Sequence, residues 1–303
     1  MNKKRRRFGV VDILLLCGVI LPFVLCIVLK VLTAVPSDDI SITGAQIYFT
    51  VPMPIQDLPI TEAQVNSVAV LVSLLCLCRF LTRDLKTHPD SVRQILAEWI
   101  VEKTEGLVKD NMGEYFICGF PPFVAAIIGL SAFSSLSTLL GLFPPTSDLN
   151  IIGGWALLVF FLITYYKMKC GPLHYLKSFG DPFPAFAPMN VISEFATPVS
   201  MTFRHYGNVM SGSVISVLVA AALAGLTNAI LGWLPGFLGE FPFLRIGIPA
   251  VLSVYFDIFS GCLQAFIFAM LTMLYVGGAF PAEDYLARKQ KLKAKKQKKQ
   301  SNA

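Results

Sequence analysis

From Met189 to Leu234 the chain carries no strong helix breaker except Pro198, and the second half of that run is apolar throughout. A helix of that length spans roughly 65 Å, about twice the hydrocarbon thickness of a bilayer. It cannot stand upright in a membrane. It must tilt steeply, bend at Pro198 or the glycines, or split. Inside the run lies Arg204, with no other Lys or Arg between Lys177 and Arg245. An arginine in the middle of an apolar segment costs on the order of 3 kcal/mol or more. The guanidinium keeps its proton at any accessible pH, so going neutral offers no escape. A carboxylate, water or backbone carbonyls must face it. At helical spacing Ser200, Arg204, Asn208 and Ser211 share one face, with Gly207 and Gly212 close by. An arginine that merely snorkels to an interface needs no such stripe. The stripe points to function.

With 55% hydrophobic and 15% charged residues and a mean hydropathy of +0.65, the chain has the composition of an integral membrane protein. The net charge of +6 does not describe a nucleic-acid surface. Of 25 Lys and Arg residues, eight fall between Arg288 and Lys299 and five between Lys3 and Arg7, on the flanks of membrane segments. The seven cysteines lie mostly in apolar runs, with no CxxC pair and no histidine at metal spacing. They read as small buried hydrophobes, without a disulfide framework or metal centre. No cofactor is expected.

The predicted fold is an all-α integral membrane protein. It has five to six transmembrane segments, one amphipathic surface helix and a long, steeply tilted C-terminal helical hairpin. Residues 1–35 form an N-terminal membrane span or signal-like segment, with the apolar stretch at 12–35 after Lys-Lys-Arg-Arg-Arg. Residues 36–62 make an outside loop without Lys or Arg, and 63–280 the core, whose hairpin is 189–280. A basic cytoplasmic tail, 281–303, follows. Within the core, spans are predicted at about 64–82, 115–143 (with Pro121-Pro122 near its start) and 151–167. Between the first two, Ser91 to Met112 alternates Val92, Ile95, Leu96, Ile100 and Leu107 with charged residues at period 3.6. That pattern fits a helix lying on the membrane surface and equally a connecting helix packed on protein. With the N-terminus inside, inner flanks and loops hold 22 of the 25 cations, which fixes the orientation and puts the C-terminus in the cytoplasm.

The second arm of the hairpin carries a matching polar face: Ser253, Asp257, Ser260, Gly261 and Gln264. An acid at Asp257 inside an apolar span requires protonation, water or a cationic partner. A salt bridge to Arg204 is one reading, and Gln264 is an equally good neighbour for the arginine.

Pro-Val-Ser-Met-Thr-Phe-Arg-His-Tyr-Gly-Asn-Val-Met-Ser-Gly (198–212) resembles the Arg-x-x-Gly-Asn-x-x-x-Gly signature of the F-type ATP synthase subunit a family. Leu-Gln-Ala-Phe-Ile-Phe-Ala-Met-Leu-Thr-Met-Leu-Tyr (263–275) is similar to that family's last-helix motif, and Pro-Pro-Thr-Ser-Asp-Leu-Asn (144–150) to one of its loops. The motifs stand in family order over roughly residues 45–280. The resemblance implies a stator in the bacterial cell (inner) membrane that passes ions to a rotating ring of c subunits through two offset half-channels. Peripheral-stalk b subunits, the rest of the complex and membrane lipid are its implied partners, and nucleic acid is not. Arg204 matches the family's essential arginine, and Asn208 and Gln264 match neighbouring positions. Glu194 suits the lining of the inner half-channel. Ser213 stands where many members carry Glu, and Asp257 where some carry His, so the resemblance implies that a carboxyl has moved across the hairpin. His205 replaces a common Leu beside the arginine, and Ser200 stands on the arginine's own face. The resemblance leaves open whether the ion is a proton or sodium. No Gly-x-x-x-x-Gly-Lys occurs, so ATP chemistry belongs to partner subunits and this chain is non-catalytic.

Two other readings compete. A secondary transporter binding an anion at Arg204 predicts paired broken helices and a substrate-sized cavity, and neither is visible in the sequence. An intramembrane hydrolase would draw on His88, His174, His205 and the Ser-Gly-Ser around residue 212. No serine there has a nucleophile-elbow context.

Overall fold

The first two helices are joined at both ends by charge. α1 (Val10–Thr33) runs antiparallel to α2 (Glu62–Leu81). Where α1 begins, the Asp12 carboxylate accepts hydrogen bonds from Arg83 at 3.1 Å, Arg93 at 3.0 Å and the Gly9 amide at 3.0 Å. Where α1 ends, the Lys30 ammonium lies 3.0 Å from the Glu62 carboxylate and donates to the Gly141 carbonyl at 2.8 Å. Between those ends Ser73 donates to the Val19 carbonyl at 2.8 Å. A Cβ on Gly18 would come within 2.7 Å of the Cys76 sulfur. The stretch that the sequence reads as a span or a signal-like segment is here packed along the core.

In this computed structural model the described residues are 9–33, 44–54, 56–87, 91–169, 171, 175–176, 179, 183–231, 247, 251–252, 254–280 and 285–286. Among them six helices are long and apolar enough to cross a membrane. The chain is an all-α integral membrane protein, as predicted. α3 (Val92–Met112) is capped by the Ser91 hydroxyl, which accepts from the Gln94 amide at 3.3 Å, and it ends at Gly113 with φ 84°. α3 packs on protein over its second half and leaves an apolar first half uncovered. Thr104, Val108 and Met112 are buried against the bundle, while Val92, Ile95, Leu96 and Trp99 remain exposed.

α4 (Pro121–Ser137) starts later than the predicted 115, because Pro121 and Pro122 occupy its first turn, where a missing amide is no loss. A 3-10 turn, Thr138–Leu140, extends it to Gly141 at φ 74°. α5 (Leu149–Lys169) returns. α6 (Ala187–Leu231) is one continuous helix of 45 residues with Pro198 inside it, so the long run neither splits nor stops. The second arm does depart from regular geometry. Val254–Ser260 is π-helical, and only from Gly261 does α7 (Gly261–Ala279) continue as α-helix.

α7 is the central element, touching α3, α4, α5 and α6. Phe268, Met273 and Val276 on it pack with Val124 and Ile127 of α4, Val159 and Ile163 of α5, and Met201 of α6. At the end of the bundle where α1 begins, Tyr115, Phe116, Tyr166, Phe280 and Tyr285 stack into an aromatic cluster. The Lys169 ammonium donates to the Tyr115 hydroxyl at 2.8 Å and lies over these rings.

The loop before α2 holds a two-stranded antiparallel ribbon that the sequence reading missed. β1 (Ile47–Val51) pairs with β2 (Leu58–Thr61), Phe49 opposite Ile60 and Val51 opposite Leu58. The signal lay in the β-branched and aromatic run Ile-Tyr-Phe-Thr-Val. Tyr48 on β1 is held up to about 12 by burial first and then by the nearby Glu62 carboxylate.

Two outcomes follow. Replacing Lys30 by Met leaves the buried Glu62 carboxylate without its cation. The cost is on the order of 2 kcal/mol, less than for a fully buried pair because Lys30 is partly exposed. A lowered melting temperature of the purified protein, reversed by adding Glu62→Gln, is the expected result. Tyr48 favours its neutral form in the folded state. Its contribution to stability is therefore complete below its ordinary value of about 10 and is lost as pH rises through about 12. Ultraviolet titration of wild type against Tyr48→Phe reads this directly.

Candidate functional site

Arg204 and Asn208 lie one turn apart on α6, and the structure separates what they do. Asn208 faces the second arm of the hairpin. Its amide nitrogen donates to the Ser260 hydroxyl at 3.0 Å and reaches the Gln264 amide oxygen at 3.5 Å, and Ser260 donates back to Asn208 Oδ1 at 3.3 Å. Gln264 is buried at this junction. The sequence proposed Gln264 as the neighbour of Arg204. Among the described residues its partner is Asn208.

Arg204 itself is exposed on α6, with no carboxylate within salt-bridge distance among the described residues. The Asp257–Arg204 pair considered from the sequence is not formed. The reason is axial. Ser260 is level with Asn208, Asp257 lies nearly a turn beyond it, and Arg204 lies a turn before it on the other arm. Roughly 10 Å of hairpin therefore separates the two charges.

Asp257 instead lines a small open cleft, together with Asn208, Gly212 and Ser213 of α6, Ser260 and Gly261 of the second arm, Ser135 of α4 and Thr138 of the turn after it. Two glycines make the close approach possible. A Cβ on Gly212 would lie 3.2 Å from the Phe256 ring, and one on Gly261 only 2.5 Å from the Ser135 Cβ. The π-helical segment does not scatter the polar face predicted for this arm. It keeps Asp257, Ser260 and Gly261 on one wall, while Ser253 lies outside the described residues. Asp257 and Ser213, the two positions read as exchanging a carboxyl, stand in the same cleft.

The remaining predicted residues fall elsewhere. Ser200 is exposed one turn before Arg204, and Ser211 donates to the Asn208 carbonyl at 3.1 Å. Ser213 donates to the Met210 carbonyl at 2.8 Å. His205 faces away from the arginine's side of α6. It is fully buried against α4 and α7, with Nε2 3.4 Å from the Ser131 hydroxyl and its ring edge-on to Phe268 at 5.6 Å. Its geometry is that of a packed core residue with Nε2 hydrogen-bonded and Nδ1 buried without a partner among the described residues. Glu194 stands at the opposite end of α6 from the cleft. Lys167 donates to it at 2.8 Å and the Tyr175 hydroxyl at 3.2 Å. Burial and that carboxylate raise the Tyr175 phenol above its ordinary value. His88 and His174 lie outside the described residues.

Sequence reasoning found the α4 span but missed its part in the cleft. Its hydroxyls Ser131, Ser134, Ser135 and Ser137 are all buried, and Ser135 and Thr138 complete the cleft. The signal was present as Ser-Ser-Leu-Ser-Thr in an apolar span. No group of three metal-ligating side chains occurs among the described residues. One carboxyl, two amides and several hydroxyls make a site suited to holding water and handing on protons, with a fixed cation one turn away.

A sequence model of the family described as ATP synthase A chain matches residues 65–277. Curated relatives agree. The ATP synthase subunit a of Priestia megaterium is 33% identical over 229 residues, covering 72% of this chain and 88% of that protein. The ATP synthase subunit a 2 of a Bradyrhizobium species is 32% identical over 225 residues, covering 73% and 89%. The ATP synthase subunit a of Staphylococcus carnosus is 28% identical over 220 residues, covering 69% and 83%.

Replacing Gly261 by Ala forces its new methyl onto Ser135, and the expected loss is about 1–3 kcal/mol of stability. Gly207→Ala meets nothing within 4 Å and is expected to leave the protein as stable as wild type or slightly more so. Thermal unfolding of the two variants side by side checks the difference.

Proposed function

This chain belongs to the ATP synthase A chain family, and from that premise we propose that it passes protons through two half-channels to and from the c-ring, with Arg204 keeping the two apart. As an F-type ATP synthase subunit a it is a non-catalytic, multi-pass stator subunit of a bacterial membrane sector, and the rest of the complex is its partner. The observation that carries the finer reading is the position of Arg204. It is exposed on α6, unpaired by any carboxylate among the described residues, between the Asp257 cleft on one side and Glu194 on the other.

In this reading the end of the bundle where α1 begins is cytoplasmic, as the distribution of cations favours, and the C-terminus lies there too. The cleft then opens toward the outer side. A proton entering it is taken up by Asp257, with Ser213 and Ser260 beside the carboxyl. It is handed to a ring carboxylate facing α6. Asn208 and Gln264 hold the crossing of the two arms and orient water next to the guanidinium. A ring carboxyl that reaches Arg204 is drawn to its ionised form by the fixed cation and gives up its proton on the inner side. That exit runs past Ser200 toward Glu194, ten residues or roughly 15 Å along α6 from the arginine. The same positive charge repels a proton that would leak straight through. His205 has no part in this path and packs the back of α6. The exposed apolar face of α3 meets lipid, and the peripheral-stalk b subunits complete the stator.

An anion transporter is the weaker reading. Arg204 lies on the outside of the hairpin, not in the cleft, whereas a substrate site would enclose it.

The test is proton-driven ATP synthesis in membranes holding the assembled complex. Arg204→Ala is expected to abolish synthesis with the ring bound and passive leak normal or raised. Normal synthesis would overturn the reading. Asp257→Asn is expected to slow synthesis, whereas wild-type rates at every pH would remove Asp257 from the path.

A further inference from the structure

Ser135 stands in the last turn of α4 with only 3% of its surface exposed, and among the described residues its hydroxyl has no hydrogen-bond partner. Its neighbours on the helix are satisfied. Ser134 donates to Thr146 at 3.1 Å, Ser137 to the Ser134 carbonyl at 2.7 Å, and Ser131 meets His205 at 3.4 Å. Thr138 donates to the Ser135 carbonyl, not to its hydroxyl. The Ser135 side chain is aimed at the second arm, its oxygen 2.7 Å from where a Gly261 Cβ would stand, and it lines the cleft opposite Asp257. A buried hydroxyl without a partner is a net cost that alanine would not carry. The polar cleft beside it has room for about one water molecule, which is the partner the hydroxyl lacks.

We propose that Ser135 is a positioning residue of the ion path: its hydroxyl holds the cleft water through which Asp257 exchanges protons with the outer side. The inference deepens the reading above and rests on it. A hydroxyl is both donor and acceptor, so it fixes the orientation of the water that exchanges a proton with Asp257, without changing its own protonation. Only O–H bonds form and break, and no co-reactant is needed. α4 adds no titratable group. Those nearest it on the two arms are Tyr255, Asp257 and Cys262 on the second arm and Arg204, His205 and Tyr206 on α6.

The experiment measures ATP synthesis by the assembled complex at a fixed total driving force while the proton concentration on the outer side is varied. Ser135→Ala and Ser135→Gly are expected to raise the apparent KM for outer protons about fivefold, the effect of one hydrogen bond, with the maximal rate little changed. Ser134→Ala, which removes a hydroxyl already paired within the bundle, is expected to leave that KM where it is. A wild-type KM in both Ser135 variants, with Asp257→Asn still impaired, would overturn the role of Ser135 alone. A silent Asp257→Asn would remove the path itself, and this inference with it. If neither Ser135 variant assembles, Ser135 is a packing residue and the proposal falls.

Discussion

The structure turns on how closely two helical arms and α4 meet. Gly212 admits Phe256, and Gly261 admits Ser135 at a distance that no side chain would tolerate. Because backbone meets side chain there, Asn208 can reach both Ser260 and Gln264 across the arms. Bulkier residues at the crossing would push the arms apart, and the amide and hydroxyl groups would then have to find water one by one. The glycines thus decide where polar groups survive in an otherwise apolar bundle. The cleft that holds Asp257 is the gap left beside that contact.

One consequence concerns charge. The carboxylates at Asp12, Glu62 and Glu194 are each matched by Arg or Lys at 2.8–3.1 Å, at the ends of the helices. Arg204 and Asp257, nearer the middle of the hairpin arms, are not matched to one another. Three acids at helix ends are neutralised, and the two mid-arm charges are left apart. That contrast separates charges that hold the bundle together from charges that meet something arriving from outside it.

Much of this was legible in the sequence. The unbroken α6 follows from a run with only Pro198 to interrupt it, and proline within a tilted helix bends more readily than it breaks when neighbours support the backbone. The polar stripe around Arg204 and Asn208 could be read from i, i+4 spacing. What could not be read was orientation about the helix axis where geometry departs from 3.6 residues per turn. Nor could the level at which the two arms cross be read, which sets Asp257 and Arg204 on opposite sides of the Asn208–Ser260 contact. That His205 points about 100° away from Arg204 follows from helix geometry, but what it packs against, Ser131 and Phe268, does not. The serines of α4 were overlooked for a different reason. A short polar cluster in an apolar span has no period of its own, and only the glycine facing it gives it meaning.

The paired ends of α1 and α2 bear on how such a chain enters a bilayer. Glu62 takes its cation from Lys30, and Asp12 takes its own from Arg83 and Arg93 beyond the second helix. Neither helix brings a complete set of charges with it. Threaded singly, each would leave an acid at a membrane boundary facing only water or lipid headgroups. Threaded as a hairpin, both boundaries are neutralised in one step, and Gly141, which Lys30 also holds, finds an anchor already waiting when α4 follows. α1 thus carries at its two ends the partners to which α2, the start of α3 and the turn after α4 are all tied.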